Sequence, residues 1–499
     1  MIRPALLLVL GALACAPRTG GDAPAVTDAT GATIAFSAVL GGTHRDMDMA
    51  RDVLTDSAGV VFVVGNAASP DFPVTPGALD TVPGGGQFPS DAFVAALGPD
   101  GALRWSTVLG GPGFERAYAL ERRADGDLVI AGRAGDGLPT TPGVVQPTFG
   151  GDQKNRAPYG RQDGFVCRLS GDGATLRFCT YLGGADNGFI RDMDLDAEGN
   201  IVVVLGSTLG DLPAGWFARA AQPRHGVYED VVVAKLAADG TRVLWATYLG
   251  GPGKELGAPT VRVAPDGTVL VLLSTQSAGL PTPGGFDSTL GGTQDLYLAR
   301  LAPDGSRIVM GTYVGGSGVE AIETHGLAIG PDSSIYVTGG SDSPDFPTTP
   351  GSWRPALADA RTGFVVRVSP AGHLLAGTLV GGAGWDYGEG IATDGAGRVL
   401  VTGYTESPVL GGDSASAALT DHGDVMVALF SPDLSQLLYG TRVGGSDRDM
   451  GRAAAVDRDG WLVVVGHTSS DDWPAHGALP RPGGGGLDAI VLRLRPQAP

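Results

Sequence analysis

The chain has 499 residues, among them 82 Gly and 35 Pro, and only 17% of its residues are charged. So many turn-forming residues, combined with 43% hydrophobic residues, indicate many short strands and exclude a disordered chain. The net charge of −19 argues against nucleic acid as a partner, because an acidic surface repels phosphate backbones.

The N-terminus carries a predicted export signal. Arg3 is a short basic region, and residues 5–10 form an apolar run that is too short to span a bilayer. Residues 11–15 read Gly-Ala-Leu-Ala-Cys, which resembles the lipobox of bacterial lipoproteins. The resemblance implies removal of residues 1–14 as a signal peptide, lipidation of Cys15, and a location outside the cytoplasm at the outer membrane or cell surface. The alternative is an ordinary signal peptide that leaves this cysteine as a free thiol.

The segment after the lipobox is predicted to be a tether. Residues 16–33 are small and polar and show no periodicity, which is typical of a flexible linker. Residues 15–33 would therefore connect a lipid anchor to a domain formed by residues 34–499. No later run approaches the roughly 18 apolar residues of a membrane span, so the lipid is the only predicted anchor.

The remaining chain contains seven repeats of about 66 residues. Each has a strand that ends in Gly-Gly, then a strand that ends at an acidic turn, a strongly apolar strand, a long loop, and a third strand. Six of the third strands begin with Asp. The Gly-Gly pairs begin at Gly41, Gly110, Gly183, Gly250, Gly315, Gly381 and Gly444.

Four antiparallel strands repeated seven times predict an all-β fold, a seven-bladed β-propeller. The chain opens on an isolated fourth strand and closes on a third strand. Residues 34–40 are therefore predicted to pair with residues 488–494 and to complete the last blade. This closure removes the strand edges that an open array would expose.

The repeat unit also resembles a known family. Residues 343–351 read Ser-Pro-Asp-Phe-Pro-Thr-Thr-Pro-Gly, and residues 69–77 differ from them only at one position. Together with the D-x-F-V-A-x-L and L-G-G segments, this unit resembles the SBBP β-propeller repeat of bacterial cell-surface proteins. The resemblance covers about residues 34–499, although blades two, three, four and six depart from it in the long loop. It implies a propeller at the cell surface and carries no settled activity.

One loop position carries an acid in six repeats, four residues after the second Gly. Its members are Asp46, Glu115, Glu255, Glu320, Asp386 and Asp449. Clustered carboxylates suit Ca²⁺, so one hypothesis is a ring for a cation or a basic ligand at the channel mouth, on the long-loop face. The alternative is architectural, with each acid accepting N–H bonds from its own loop or the neighbouring blade.

Two other repeated features have structural interpretations. The Asp that begins the third strand is predicted to cap loop N–H groups. A bulky residue before Pro in the long loop is predicted to pack on its blade. These packing residues are Phe72, Leu138, Leu212, Leu280, Phe346 and Trp473.

Cys167 and Cys179 lie on the third and fourth strands of one hairpin. Outside the cytoplasm two such thiols form a disulfide if the strand register brings their Cα atoms within about 7 Å. The alternative is two buried, unpaired thiols.

These features predict a monomeric, non-enzymatic envelope lipoprotein. Its lipid would hold it at the membrane, and its long-loop face would bind a protein, glycan or cation, with no cofactor required. The sequence has no nucleophile elbow and no metal spacing among its His residues. The alternatives are an extracytoplasmic propeller enzyme that acts on polysaccharide and a purely architectural envelope component.

Overall fold

A computed structural model describes residues 26–27, 31–43, 47–84, 90–151, 159–184, 188–208, 212–356, 361–408, 410, 422–479 and 486–497. These residues form seven antiparallel sheets, and the sheets confirm the predicted seven-bladed β-propeller. Within the described ranges, none of the helical segments has the length and hydrophobicity needed to cross a membrane.

The first three blades follow the predicted order of strands. Blade 1 contains β3 (Met49–Thr55), β4 (Val61–Ala67), β5 (Asp91–Leu97) and β6 (Leu103–Leu109). Blade 2 contains β7 (Arg116–Arg122), β8 (Leu128–Ala134), β9 (Asp163–Leu169) and β10 (Leu176–Tyr181). Blade 3 contains β11 (Ile190–Leu195), β12 (Ile201–Thr208), β13 (Asp230–Leu236) and β14 (Val243–Leu249). A short 3₁₀ helix, Ala214–Phe217, lies in the long loop of blade 3.

The next three blades repeat this order, except that the first strand of blade 5 is broken in two. Blade 4 contains β15 (Glu255–Val263), β16 (Val269–Thr275), β17 (Asp295–Leu301) and β18 (Ile308–Val314). Blade 5 contains β19 (Glu320–Ala321), β20 (Leu327–Ile329), β21 (Ile335–Ser341), β22 (Thr362–Val368) and β23 (Leu374–Val380). Blade 6 contains β24 (Asp386–Thr393), β25 (Val399–Thr405), β26 (Asp424–Phe430) and β27 (Leu437–Val443).

Both ends of the chain build blade 7. Its strands are β28 (Asp449–Val456), β29 (Leu462–Thr468), β30 (Asp488–Arg495) and β2 (Thr33–Leu40), with β1 (Val26–Thr27) outside them. The register between β2 and β30 runs from Ile34 opposite Leu494 to Leu40 opposite Ala489, which confirms the predicted closure. Strand β1 lies inside the segment predicted as a tether and pairs with β2.

The uninterrupted apolar runs of the second strands follow from burial on both faces. On β12, Val203 packs into the hydrophobic cluster between blades 2 and 3, whereas Val202 and Val204 pack into the cluster between blades 3 and 4. Successive side chains of a strand point to opposite faces, so a strand between two blades must be apolar at every position. The seven clusters that the described residues form each fill one blade interface.

The first strands of neighbouring blades contact one another and line the central channel. Most of them carry a β-bulge at one repeat position. In blade 2 the register shifts between Ala117 and Ala119, so that Tyr118 has no partner on β8. The same shift leaves Arg51, Arg191, Glu389 and Arg452 unpaired in blades 1, 3, 6 and 7. A bulge re-aims a side chain, here toward the channel.

The glycine that ends the second strand permits this bulge. A Cβ atom on Gly132 would collide with the carbonyl oxygen of Arg116 on the neighbouring first strand. Leucine stands at this position in two blades: in blade 3, with Leu205, the bulge at Arg191 persists, and in blade 4, with Leu273, the irregular pairing extends from Leu256 to Thr260. The strand-ending glycine of the repeat therefore allows the first strand to approach closely where it bulges.

The two cysteines of blade 2 are bonded. Cys167 on β9 lies directly opposite Cys179 on β10, with Cα atoms 4.0 Å apart, and the structure joins their sulfur atoms. Of the two alternatives that the sequence left open, the structure has the disulfide. Cys15 lies outside the described residues.

Candidate functional site

The described acids of the repeated loop position are buried at the junctions between blades. Glu320 accepts hydrogen bonds from the Ser341 and Ser343 hydroxyls at 2.6 and 2.5 Å and from the Gly316 N–H at 3.1 Å. Glu115, Glu255, Asp386 and Asp449 have corresponding donors in their own blades.

In blade 1 this role belongs to a residue that the repeat spacing missed. Asp48 accepts the N–H groups of Gly42 at 3.1 Å and Ala68 at 2.6 Å. Its own N–H donates to the carbonyl of Leu487 in blade 7, as the acids of other blades do to the preceding blade. Asp46, which the spacing had selected, lies outside the described residues.

Four of these acids, Glu115, Glu255, Glu320 and Asp449, also face the Asp that begins the third strand of the preceding blade, whereas the third strand before Asp386 begins with Thr362. Glu255 shares a hydrogen bond with Asp230, which in turn accepts the Gly226 N–H at 2.9 Å. The predicted capping role of these third-strand residues is thus confirmed here and at Asp91, Asp163 and Asp295. A Cβ atom on Gly250 would collide with the Asp230–Glu255 pair, which explains the first Gly of the Gly-Gly motif.

The acids are therefore distributed over separate junctions. Within the described ranges, no three His, Cys, Asp or Glu side chains gather in a way that suits a metal ion. N–H and hydroxyl donors stabilise the acids, as the architectural alternative expects, and calcium binding by them stays a prediction. The predicted packing of the long loops is confirmed, since all six bulky residues that precede Pro are buried.

The buried acids predict a stability that falls as the pH rises. Burial raises the pKa of Glu255 to about 7, against the effect of the Ser277 and Thr275 hydroxyls, and burial raises that of Glu115 to about 8. These folded-state values exceed those of the unfolded chain, so the folded state holds protons that the unfolded state releases above pH 5. We expect the Tm to fall by several degrees between about pH 5 and about pH 8.

The control for this prediction is Glu255→Gln. Its amide keeps an acceptor for the two hydroxyls and donates to Asp230, but it cannot ionise. The variant should lose part of the pH dependence and be the more stable protein at pH 8. A Tm that rises over the same pH range in wild type would contradict the assignment.

The channel holds a group of side chains that the sequence analysis did not select. A cavity of about 410 Å³ is lined by Arg51, Arg116, Tyr118, Arg133, Tyr159, Arg191, Gly257, Ala258, Glu323 and Arg452. Residues from six blades meet in it, which places it on the central axis. Most of them lie at the start of a first strand or the end of a second strand, so the cavity belongs to the long-loop face.

Most of these arginines have no acidic partner among the described residues. There, Arg452 alone makes an ion pair, through Nη1, which donates to both carboxylate oxygens of Glu389 at 3.0 and 2.9 Å. The Arg51 and Arg133 side chains are more than nine-tenths buried. Buried charges are normally paired, so this group of arginines favours an anionic ligand.

The titratable groups report the same positive potential. Burial and the charges of Arg116 and Arg452 lower the pKa of Arg51 well below its usual value. Burial and several of the same guanidinium groups likewise lower the pKa of the neighbouring His467, which therefore stays neutral. The empty cavity thus destabilises its own charges, and an anion would relieve that cost.

Aromatic rings hold the arginines in place. The Arg133 guanidinium lies 4.1 Å from the centre of the Tyr159 ring and 4.7 Å from that of Phe114. Arg191 lies 4.5 Å from the Phe189 ring and 5.1 Å from the Tyr118 ring. Cation–π contacts orient a guanidinium without neutralising it, so the positive charge stays available.

Farther along the channel the charge changes sign. Arg262 donates to Asp192 at 2.8 Å. The nearby carboxyl groups of Asp52, Glu121 and Asp194 help to raise the pKa of the Arg262 guanidinium. An anion that enters from the long-loop face therefore meets arginines first and carboxylates behind them. The cavity is closed to anions at its inner end by electrostatics.

A repeat signal for this site exists in the sequence. In each blade we count three positions from the buried acid, or from Gly188 in blade 3, which has no acid there. In most blades this position is the bulged residue, and in the others it lies in the irregular part of the first strand. Around the ring this position reads Arg51, Tyr118, Arg191, Ala258, Glu323, Glu389 and Arg452. It varies from blade to blade, which is what a single asymmetric ligand site requires.

The solved structures that match this chain resemble it only distantly. Quinohemoprotein alcohol dehydrogenase from Comamonas testosteroni is 11% identical, with a TM-score of 0.42, over 94% of this chain and 77% of that one. A protein of unknown function from Dyadobacter fermentans is 12% identical, with a TM-score of 0.41, over 93% and 100%. A gluconolactonase from Xanthomonas campestris is 17% identical, with a TM-score of 0.29, over 71% and 98%. Likenesses at this level carry no inference about activity.

Among curated proteins, none matches this sequence significantly. The SBBP family model, described as a β-propeller repeat, matches residues 377–408. That segment runs from the fourth strand of blade 5 through the first two strands of blade 6, and it contains the Gly-Gly pair and the bulge. The match to the SBBP β-propeller repeat thus covers residues 377–408, within a chain that folds as a seven-bladed β-propeller.

Proposed function

We propose that this propeller is a binding protein for an anionic ligand, which it holds in the arginine cavity of its central channel. The observation that carries the proposal is the lining of this cavity, where five arginines meet and, in the part of the chain that the structure describes, Arg452 alone is ion-paired. Guanidinium groups bind carboxylate, phosphate and sulfate oxygens through paired N–H donors.

The size and composition of the cavity favour a small, multiply charged or sugar-sized ligand. A volume of about 410 Å³ is within the range of ligand pockets. Five arginines and one glutamate line it, and Gly257 and Ala258 leave the blade 4 side open. In a chain with a net charge of −19, such a positive site is specific to the channel and is not a property of the surface.

The test is thermal unfolding in low-chloride buffer with glucuronate, citrate, phosphate or sulfate. An anion that binds only the folded state raises the Tm by an amount that grows with the logarithm of its concentration once that exceeds the Kd. We expect at least one of these anions to raise the Tm by several degrees, while glucose and sodium chloride of equal ionic strength do not. If none of the four exceeds the salt control, the proposal is wrong.

We further propose that the protein displays this cavity outside the cytoplasm on a lipid anchor at Cys15. The support is the basic, apolar and Gly-Ala-Leu-Ala-Cys order of residues 3–15. Wild type should take up labelled fatty acid and sediment with membranes, and Cys15→Ser should do neither. A wild-type protein without label would contradict the anchor and leave the cavity unaffected.

A second candidate function is catalysis in the same cavity, and Tyr118 is the observation that favours it. Burial alone would raise the pKa of this phenol, but Arg133, Arg116 and Arg191 together lower it well below its usual value. A tyrosine whose pKa is lowered in this way can act as the base that removes the proton from the carbon next to a bound carboxylate, so that a C=C bond forms and the C–O bond to the neighbouring sugar of a uronate polymer breaks. Shortening of such polymers that is lost in Tyr118→Phe would support catalysis, and anion binding without shortening would support binding alone.

A further inference from the structure

A second cleft lies on the same face, at the junction of blades 5 and 6. Its volume is about 500 Å³, and its lining consists of Arg361, Ala383, Gly384, Trp385 and Glu406. The structure describes all seven tryptophans of the chain, and Trp385, with 38% of its surface exposed, is the most exposed of them.

The cleft presents a ring face between two hydrogen-bonding side chains. The Arg361 guanidinium lies 5.9 Å from the centre of the Trp385 ring. Glu406 is held beside the ring because its Oε1 accepts the Tyr404 hydroxyl at 2.7 Å, and Tyr404 contacts Trp385 edge-on at 5.5 Å between ring centres. The small residues Ala383 and Gly384 leave the ring accessible.

The other blade junctions show that the fold does not require these side chains. The position of Trp385, just before the blade's acid, holds Met47, Phe114, Lys254, Val319 and Arg448 in other blades. The positions of Arg361 and Glu406 vary as widely, although the backbone hydrogen bonds that they make recur: Asp386 N–H to the Arg361 carbonyl and Glu406 N–H to the Trp385 carbonyl. Only the side chains are particular to this junction.

The cleft adjoins the arginine cavity along β24, which begins directly after Trp385. Glu389, four residues farther along this strand, accepts hydrogen bonds at 3.0 and 2.9 Å from Arg452, which lines the cavity. Four strand residues span about 13 Å, so one extended ligand would reach both places.

We propose that the Trp385 cleft binds a sugar ring, so that the ligand of this protein is an acidic oligosaccharide with one acidic residue in the arginine cavity and a neighbouring ring on Trp385. This inference rests on the proposed function. An exposed indole face packs against the C–H face of a pyranose, and the flanking guanidinium and carboxylate bind its hydroxyls.

The experiment is calorimetric titration of the full chain with two monosaccharides, glucuronate and galacturonate, and with the matching oligomers, hyaluronan tetrasaccharide and trigalacturonate. We expect one oligomer to bind at least roughly tenfold more tightly than its monomer. Trp385→Ala should remove that difference and leave the affinity for the monomer and the Tm unchanged. Trp461→Ala is the matched control, because Trp461 lies in a turn on the opposite face and should alter neither affinity.

The outcomes separate the two proposals. If neither monosaccharide binds wild type, this inference is overturned, and the proposed function is overturned with it only if citrate, phosphate and sulfate also fail to raise the Tm. If a monosaccharide binds but Trp385→Ala leaves the affinity for the oligomer unchanged, the cavity remains and the sugar cleft is overturned.

Discussion

The variant that combines Arg51→Gln with Arg191→Gln is expected to unfold at a higher temperature than wild type and to lose anion binding. These guanidinium groups repel their neighbours and have no carboxylate partner among the described residues, so their removal should stabilise the folded state by about 1 kcal/mol. Each lost charged contact to a buried anion costs about 2–5 kcal/mol, so affinity should fall at least about 100-fold. Thermal unfolding and calorimetry measure the two effects.

Arg262→Gln is the matched control from the same channel. Arg262 is ion-paired with Asp192, so this substitution leaves buried carboxylates uncompensated and should destabilise the protein by about 3–5 kcal/mol. Opposite signs for the two substitutions would identify Arg51 and Arg191 as ligand-binding and Arg262 as structural. A loss of stability in the double variant would contradict the proposed role of the cavity.

Deletion of β2 is the second change with a large expected effect. A protein that begins at residue 43 loses the strand that buries Phe36 and Leu40 and that covers β30. Removing two large core side chains and exposing a strand edge should cost at least about 5 kcal/mol. We expect a much lower Tm and concentration-dependent aggregation, measured by calorimetry and light scattering.

A protein that begins at residue 26 is the control, because it keeps β1 and β2. It should unfold like the chain from residue 16, and a peptide of residues 31–43 added to the shorter protein should restore part of the lost Tm. If the proteins that begin at residues 26 and 43 have equal Tm values, β2 does not close the ring.

The architecture was predictable because every blade packs between two neighbouring blades in the same way and so needs the same pattern of residues. Apolar second strands such as Val61–Ala67, the Gly-Gly pairs and the complementary chain ends recur with a period that only a closed array of blades explains. Why a particular residue type stands at a given position could be explained only from the three-dimensional structure. In four blades the first Gly of the pair, such as Gly250, follows from contact with a pair of acids in neighbouring blades, and no local pattern shows that contact.

The site was not predictable by the same reasoning. A residue that recurs in every blade, such as Glu320, reports what every blade needs, and these acids proved to be bound at blade junctions. A single ligand needs side chains that differ between blades. The bulged position three residues later has that property, but its approach to the channel depends on a register shift that the sequence does not display.

Crystals soaked in selenate provide the most direct test of anion binding in the channel. Anomalous diffraction locates the selenium atom without any assumption about the natural ligand. The arginine cavity predicts a peak on the channel axis within hydrogen-bonding distance of the guanidinium groups of Arg51, Arg133 and Arg191. An empty cavity in crystals that bind selenate at other arginines would contradict it.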